Sequence, residues 1–295
     1  MAAPWLVRRR PSHPSLSRTT RSLLPLSQGF QVKVFLFQGR AFLLGVEQLA
    51  ITDHDTLNGW RSLRHRLDGS ESRLKLRTGI ELSCEWQGNS VHIVGIDVDP
   101  ENPSLILLEE KQKIARFERA EKISSRLSKR GVTGALDGVT KLAGDAALTR
   151  PHFAKWMLTE GYVSSESQAF KSYLGRGKIG DINSLWPPLE TVVGIINSAQ
   201  GLSVLAHPLK YKFTNAKLER LITCFCECDG DAIEIISGRQ SLAQTDTLRR
   251  LAHKFSLLAS VGSDFHCDGR YLADIGINSA DLGCIPSIWS DVPLV

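Results

Sequence analysis

Leu258-Ala259-Ser260-Val261-Gly262-Ser263-Asp264-Phe265-His266 runs small and apolar residues together and then presents a carboxylate and an imidazole. A short apolar run of this length reads as a strand buried on both faces, with polar groups delivered at its end. The arrangement recurs upstream. Val46 to Thr52 gives way to Asp53-His54-Asp55-Thr56, and Leu74 to Glu81 alternates and stops at Glu81. His92 interrupts the β-branched run Ser90 to Ile96, Leu202-Ser203-Val204-Leu205-Ala206 ends in His207-Pro208, and Ala232 to Ser237 carries Glu234. In α/β barrels and open parallel sheets, functional groups gather at the carboxyl ends of strands, because the loops there converge on one face. Helical patterns over 188–199, 215–224 and 244–255 alternate with the later strands. The expectation is a set of βα units around a parallel, barrel-like sheet.

The alternation breaks between Pro103 and Lys178, where no strand pattern stands out and successive helices are expected. Ser104 to Arg130 carries Leu107, Leu108, Ile114, Phe117, Ile123 and Leu127 as an apolar face and stops at Gly131. Shorter helices are expected over 139–143, 150–159 and 165–174. The division that follows is 1–44 as an atypical basic segment, 45–102 as the first part of the α/β unit, 103–180 as an all-helical insertion and 181–285 as the second part.

The chain has 295 residues, 42% hydrophobic and 23% charged, with six cysteines. That is enough chain for a full core, and too few cysteines for a disulfide scaffold. No run of eighteen apolar residues suggests a membrane span. The formal charge of +5 is unevenly placed: residues 1–46 hold seven basic residues and no acid, leaving −2 for residues 47–295. The basic character therefore belongs to a segment rich in Arg, Ser, Leu and Pro, whose composition resembles an organellar transit peptide, and is not a nucleic-acid footprint. With no apolar secretion signal evident, the cytoplasm is the expected location.

His54, His92, His207 and His266, with Glu81, Asp264 and the less secure Asp53, form a mixed imidazole and carboxylate set. Such donors suit Mn, Fe or Zn ions, and clustered ions activate water against a phosphoryl group. One histidine in a strand is more often a hydrogen-bonded core residue; four at comparable positions point to ligation. His65, His152 and His253 lie in helical patterns and read individually as surface residues. Cys224-Phe225-Cys226-Glu227-Cys228 lacks CxxC spacing and a second pair, so reduced thiols are expected there.

Taken in order, Ile51 to Thr56, Gly79-Ile80-Glu81-Leu82-Ser83, His92-Ile93-Val94-Gly95, Ala206-His207-Pro208 and Gly262 to His266 resemble the successive motifs of the PHP (polymerase and histidinol phosphatase) superfamily. Thr149 to Ala154 and Tyr173 to Lys178 resemble the helical insertion of the bacterial branch that hydrolyses 3′,5′-nucleoside bisphosphates and trims short RNA from the 5′ end. The resemblance covers about residues 45–280. It implies a distorted (βα)7 barrel with up to three divalent ions, usually Mn2+, with Zn or Fe as alternatives. It also implies that Glu81 bridges two ions, that His92 and His207 serve the third with it, that Asp264 completes the first, and that His54 and His266 serve the second. No catalytic group beyond these ligands is implied. Arg150, His152, Arg176 and Lys178 become candidates for gripping the second phosphate or the RNA backbone; apart from the resemblance they read as solvated helix charge.

The family opens with a strand ending in His-x-His followed by an Asp, and residues 1–44 offer only His13, in Pro-Ser-His-Pro-Ser. Either that segment is read out of frame or it is a divergent extension, the acid-free composition favouring the former. Fewer ions and impaired activity are the expectation for the chain as written. Leu209-Lys210-Tyr211 stands where the family has Gly-Arg-Tyr. The alternatives are an inactive protein that still binds metal and RNA, and a histidinol-phosphatase-like phosphomonoesterase.

Overall fold

The computed structural model describes residues 5–9, 46–67, 74–144, 146–182, 186–264, 277–278 and 285–290. Its strands form two sheets. The first contains β1 (Trp5–Arg9), β2 (Val46–Ile51), β3 (Lys75–Arg77) and, last in the chain, β9 (Ile277–Asn278), in the order β3-β2-β1-β9. The second contains β4 (Gly79–Trp86), β5 (Asn89–Ile96), β6 (Leu202–Leu205), β7 (Ala232–Ser237) and β8 (Leu258–Gly262), in sequence order.

The sheets are mixed, where a parallel arrangement was expected. β6, β7 and β8 are parallel neighbours, but β4 and β5 form an antiparallel hairpin and β5 is also antiparallel to β6. The reason is local. Only Gln87-Gly88 joins β4 to β5, with φ of 48° and 70°. Two successive residues of positive φ make the turn whose twist suits a hairpin, whereas a parallel crossover needs roughly a dozen residues. The run expected as one strand over 74–81 divides at Thr78, so that β3 pairs with β2 and β4 opens the second sheet. Glu81 consequently lies near the start of a strand and His92 within one. Of the segment set apart above, Trp5–Arg9 pairs antiparallel with β2 and parallel with β9, so that part of it belongs to the sheet.

The helices are α1 (Asn58–Leu67), α2 (Pro103–Ser128), α3 (Ala135–Ala143), α4 (Arg150–Thr159), α5 (Glu166–Ala169, continued by a wide turn Phe170–Leu174), α6 (Leu189–Ser198), α7 (Asn215–Glu227) and α8 (Leu242–Lys254). Asn102 caps α2 by accepting the N–H groups of Ser104 and Leu105 at 3.0 and 3.1 Å. The buried stripe of α2 differs from the one expected. It runs Leu105, Leu108, Gln112, Arg116, Ala120, Ile123, Leu127, while Leu107, Ile114 and Phe117 are 55%, 59% and 45% exposed. The spacing of three and four is helical throughout, but its middle is polar, which a hydrophobicity pattern does not detect.

Two apolar clusters result. One surrounds the second sheet and includes Leu105 and Leu108; the other includes Ala120, Ile123 and Leu127 of α2 with Val139, Phe153, Trp156, Met157 and Leu174. α2 thus belongs to both. In the second cluster α3 lies directly against α4: a Cβ on Gly138 would fall 1.9 Å from Trp156 Nε1. Gly138→Ala is expected to destabilise the protein by about 1–3 kcal/mol through overpacking. Urea denaturation measures this, and an unchanged midpoint would refute the close packing.

Candidate metal centre

The site forms where the two sheets meet. Beyond β2 the chain continues as Asp53-His54-Asp55 and bridges to the start of β4: Glu81 N–H donates to Asp53 O at 3.0 Å and Asp55 N–H donates to Glu81 O at 2.9 Å. His54 and Glu81 are thereby side by side. His92 reaches the same place because β5 is antiparallel to β6, so that its edge at Ile93 pairs with Leu205, just before His207. Tyr211, on the helical turn Pro208–Tyr211, holds the two together: its hydroxyl accepts His92 N–H at 2.9 Å and donates to Ala206 O at 2.9 Å.

Glu81 is 1% exposed. Its Oε1 lies 2.6 Å from His92 Nδ1, 3.0 Å from His207 Nε2 and 3.8 Å from His54 Nδ1. His92 Nδ1 and His207 Nε2 are 3.3 Å apart. Burial by itself pushes the Glu81 carboxyl up, but His54 and His92 and the hydrogen bonds from His207 and His92 prevail and hold it well below the usual carboxylate range.

These donors suit a divalent ion. Three imidazoles converge on one carboxylate oxygen, and the ligand atoms of His54, Glu81 and His92 lie within 4.8 Å of one another. The buried His207 Nδ1 has no hydrogen-bond partner among the described residues. Such a set of neutral nitrogens and one carboxylate is the ligand chemistry of Zn, Mn and Fe sites.

The backbone is strained around this cluster, with positive φ at Asp55 (55°), His207 (31°) and Asp264 (46°). Each is held. Glu234 Oε2 accepts His207 N–H at 2.6 Å. Burial holds the Glu234 carboxyl above its ordinary value, and the opposing pull of His207 and Lys210 does not reverse this. Asp55 lies beneath His54 and is fully used: Oδ1 accepts Ser83 N–H at 2.6 Å and Oδ2 accepts Arg116 Nε at 2.6 Å. Arg116 also donates to Ser83 Oγ and Leu148 O, and Gln112 donates to Ser83 O at 2.6 Å. The polar middle of α2 is therefore the floor of the site.

The remaining expected residues are placed as follows. Asp264 pairs with Lys210, and His266 lies outside the described residues. Asp53 Oδ2 accepts Gly59 N–H at 2.9 Å at the start of α1. Arg150 donates to Leu174 O and pairs with Asp181 at 3.3 Å. His152, expected at the surface as a lone helical histidine, is 2% exposed and its Nδ1 closes the capping box of α4 with Thr149. Arg176 and Lys178 are exposed. Glu234, Tyr211, Asp55 and Arg119 were missed as site residues. Arg119 is pushed down to about 10 by burial, then by the like charges of Arg150 and Arg116, so it stays cationic at neutral pH. Its Nε has no hydrogen-bond partner among the described residues. Trp186 lies under both Arg116 and Arg119.

A buried carboxylate ringed by imidazoles, with guanidinium groups nearby, is the outline of a metallohydrolase site for anionic substrates. No family model matches the chain. It is 36% identical over 250 residues to a 5′-3′ exoribonuclease of Haemophilus influenzae, covering 85% of this chain and 90% of the relative. It is 35% identical over 248 residues to a 3′,5′-nucleoside bisphosphate phosphatase of Chromobacterium violaceum, covering 83% and 85%. Among solved structures, an amidohydrolase from Chromobacterium violaceum superposes with a TM-score of 0.77 at 32% identity, over 85% of this chain and 87% of that one. The chain belongs to the PHP family of hydrolases, in the branch that contains these exoribonucleases and bisphosphate phosphatases.

Two outcomes follow for stability. Arg116→Met leaves the Asp55 carboxylate buried without its cation and is expected to cost about 3–5 kcal/mol in urea unfolding; a loss below about 1 kcal/mol would mean the pair is not holding the floor. Because the Glu81 carboxyl is depressed, the stability tied to its ionisation is present above the ordinary carboxylate range and is lost as pH falls through the depressed value. In chelator-treated protein, urea melts from about pH 7 down to about pH 2 are expected to show a steeper acid loss for wild type than for Glu81→Gln. Parallel acid limbs would contradict this.

Proposed function

We propose that this chain is a metal-dependent phosphohydrolase that removes the 3′-phosphate of 3′,5′-nucleoside bisphosphates and trims short RNA from its 5′ end. The observation that carries the reading is the single Glu81 oxygen shared by His54, His92 and His207. The names of the two relatives support the substrate class. In architectural terms we read the two sheets as parts of a distorted (βα)7 barrel, the chain dividing into 45–102 and 181–285 with 103–180 as the helical insertion, and the second sheet drawing strands from both parts.

Glu81, His54, His92 and His207 would hold divalent ions, manganese being the family's usual metal, with Asp264 and His266 as further ligands by the resemblance. A divalent ion held by these residues would supply charge for the phosphoryl oxygens and lower the pKa of an attacking water. Water oxygen bonds to phosphorus as the P–O3′ bond breaks and a water proton ends on O3′, giving the nucleoside 5′-phosphate and inorganic phosphate. The protein's own part is to place the groups: Tyr211 fixes His92 against the His207 turn, Glu234 holds the His207 backbone, and Asp55 and Arg116 keep the bridge at His54 rigid.

The second phosphate falls to the cations beside α2. Arg150 and Arg119 lie close enough to act on each other electrostatically, and Arg176 and Lys178 add exposed charge. His152 contributes from beneath by capping the turn that carries Arg150. Guanidinium groups suit this task through paired donors. The absent His-x-His motif lowers the number of ions and the turnover. A cytoplasmic location fits these substrates, and no helix among the described residues is long and apolar enough to cross a membrane.

With Mn2+ and adenosine 3′,5′-bisphosphate, wild type is expected to release phosphate, and chelation or Glu81→Gln to reduce kcat/KM by about 100-fold or more. Equal, chelator-insensitive rates for wild type and Glu81→Gln would refute the proposal. Tight binding of Mn2+ and the bisphosphate without turnover would replace it with the reading of an inactive binding protein.

A further inference from the structure

Lys210 sits on the turn Pro208–Tyr211 that follows β6, between His207 (φ 31°) and Lys212 (φ 54°), both in the left-handed region. Its N–H donates to His207 O at 2.9 Å, so the turn that presents the His207 imidazole also sets the origin of the lysine side chain. The ammonium forms an ion pair with Asp264 Oδ2. Glu234 and Glu81 are the other carboxylates near enough to act on it. One cation supplied by the chain itself therefore stands among three carboxylates at the edge of the metal centre. Asp264 is also in a left-handed backbone conformation.

We infer that Lys210 is a built-in cation that competes with a divalent ion for the Asp264 carboxylate, and so limits how tightly this chain takes up metal. The inference rests on the metal-dependent reading above. A protonated amine has no lone pair and cannot itself be a ligand, and its positive charge beside Asp264 opposes the approach of a divalent ion to that carboxylate. The lysine stem is flexible, and a displaced ammonium has a place to go. A pocket lined by His207, Lys210, Ser237, Arg239 and Gln240 opens beside it. There the buried Ser237 Oγ has no hydrogen-bond partner among the described residues.

The test is Mn2+ titration of chelator-stripped full-length protein, with free Mn2+ counted by its solution EPR signal. Lys210→Met keeps the stem and removes the charge. It is expected to bind one Mn2+ about tenfold more tightly than wild type, while Lys210→Arg stays near wild type. The gain is expected to vanish when Asp264→Asn is added. Thermal melts identify a variant that fails to fold, and Lys210→Gln then replaces Lys210→Met in the same comparison. Wild-type-like uptake by both neutral variants, or a gain that survives Asp264→Asn, would overturn the inference. If wild type binds Mn2+ and loses it in Glu81→Gln while the neutral lysine variants match wild type, the metal reading stands and the lysine inference alone falls. If none of the chains binds Mn2+, both fall.

Discussion

The shared oxygen of Glu81 is the constraint on which the site depends. A carboxylate at 1% exposure is costly to ionise, and it is stable as an anion here because three imidazoles face it. Those imidazoles come from three places in the chain: the end of β2, the middle of β5 and the turn after β6. Bringing them to one atom requires both sheets to be in register. The bridge from Asp53 and Asp55 to the backbone of Glu81 supplies that register, so the main-chain joint and the side-chain cluster are one device.

Beneath that joint lies a second buried charge, and the two are separated by chemistry. Asp55 pairs with Arg116, and both of its oxygens accept hydrogen bonds from Ser83 or the guanidinium, which makes it a brace. Glu81 has imidazoles for neighbours, donors that a cation can replace. A carboxylate matched to guanidinium holds structure, and one matched to imidazole can exchange its partner for metal.

The sequence made His54, His207 and Asp264 legible because each follows a short apolar run, and the structure places each just beyond a strand. Glu81 and His92 stand in similar runs, but both belong to a hairpin closed by the two-residue turn at Gln87-Gly88, so neither lies at the end of a parallel strand. The face of α2 was misread for a related reason. Gln112 and Arg116 are buried by their hydrogen bonds, while Ile114 and Phe117 face outward, so apolarity pointed the wrong way. Glu234 and Tyr211 act on backbone atoms of other residues, and pairings of that kind leave no mark in a linear pattern.

α2 also bears on how the chain can change over evolutionary time. Its first turns fill the core around the second sheet, its middle supports Asp55, and its last turns fill the helical cluster. The helical layer therefore has no clean excision point. Cutting at Pro103 would remove Leu105 and Leu108 from one core and Arg116 from the floor, so the layer is spliced into the protein rather than appended to it. Substitutions on its outer surface, where Leu107, Ile114 and Phe117 are exposed, leave these contacts untouched, but dispensing with the layer would require a new partner for Asp55 at the same time.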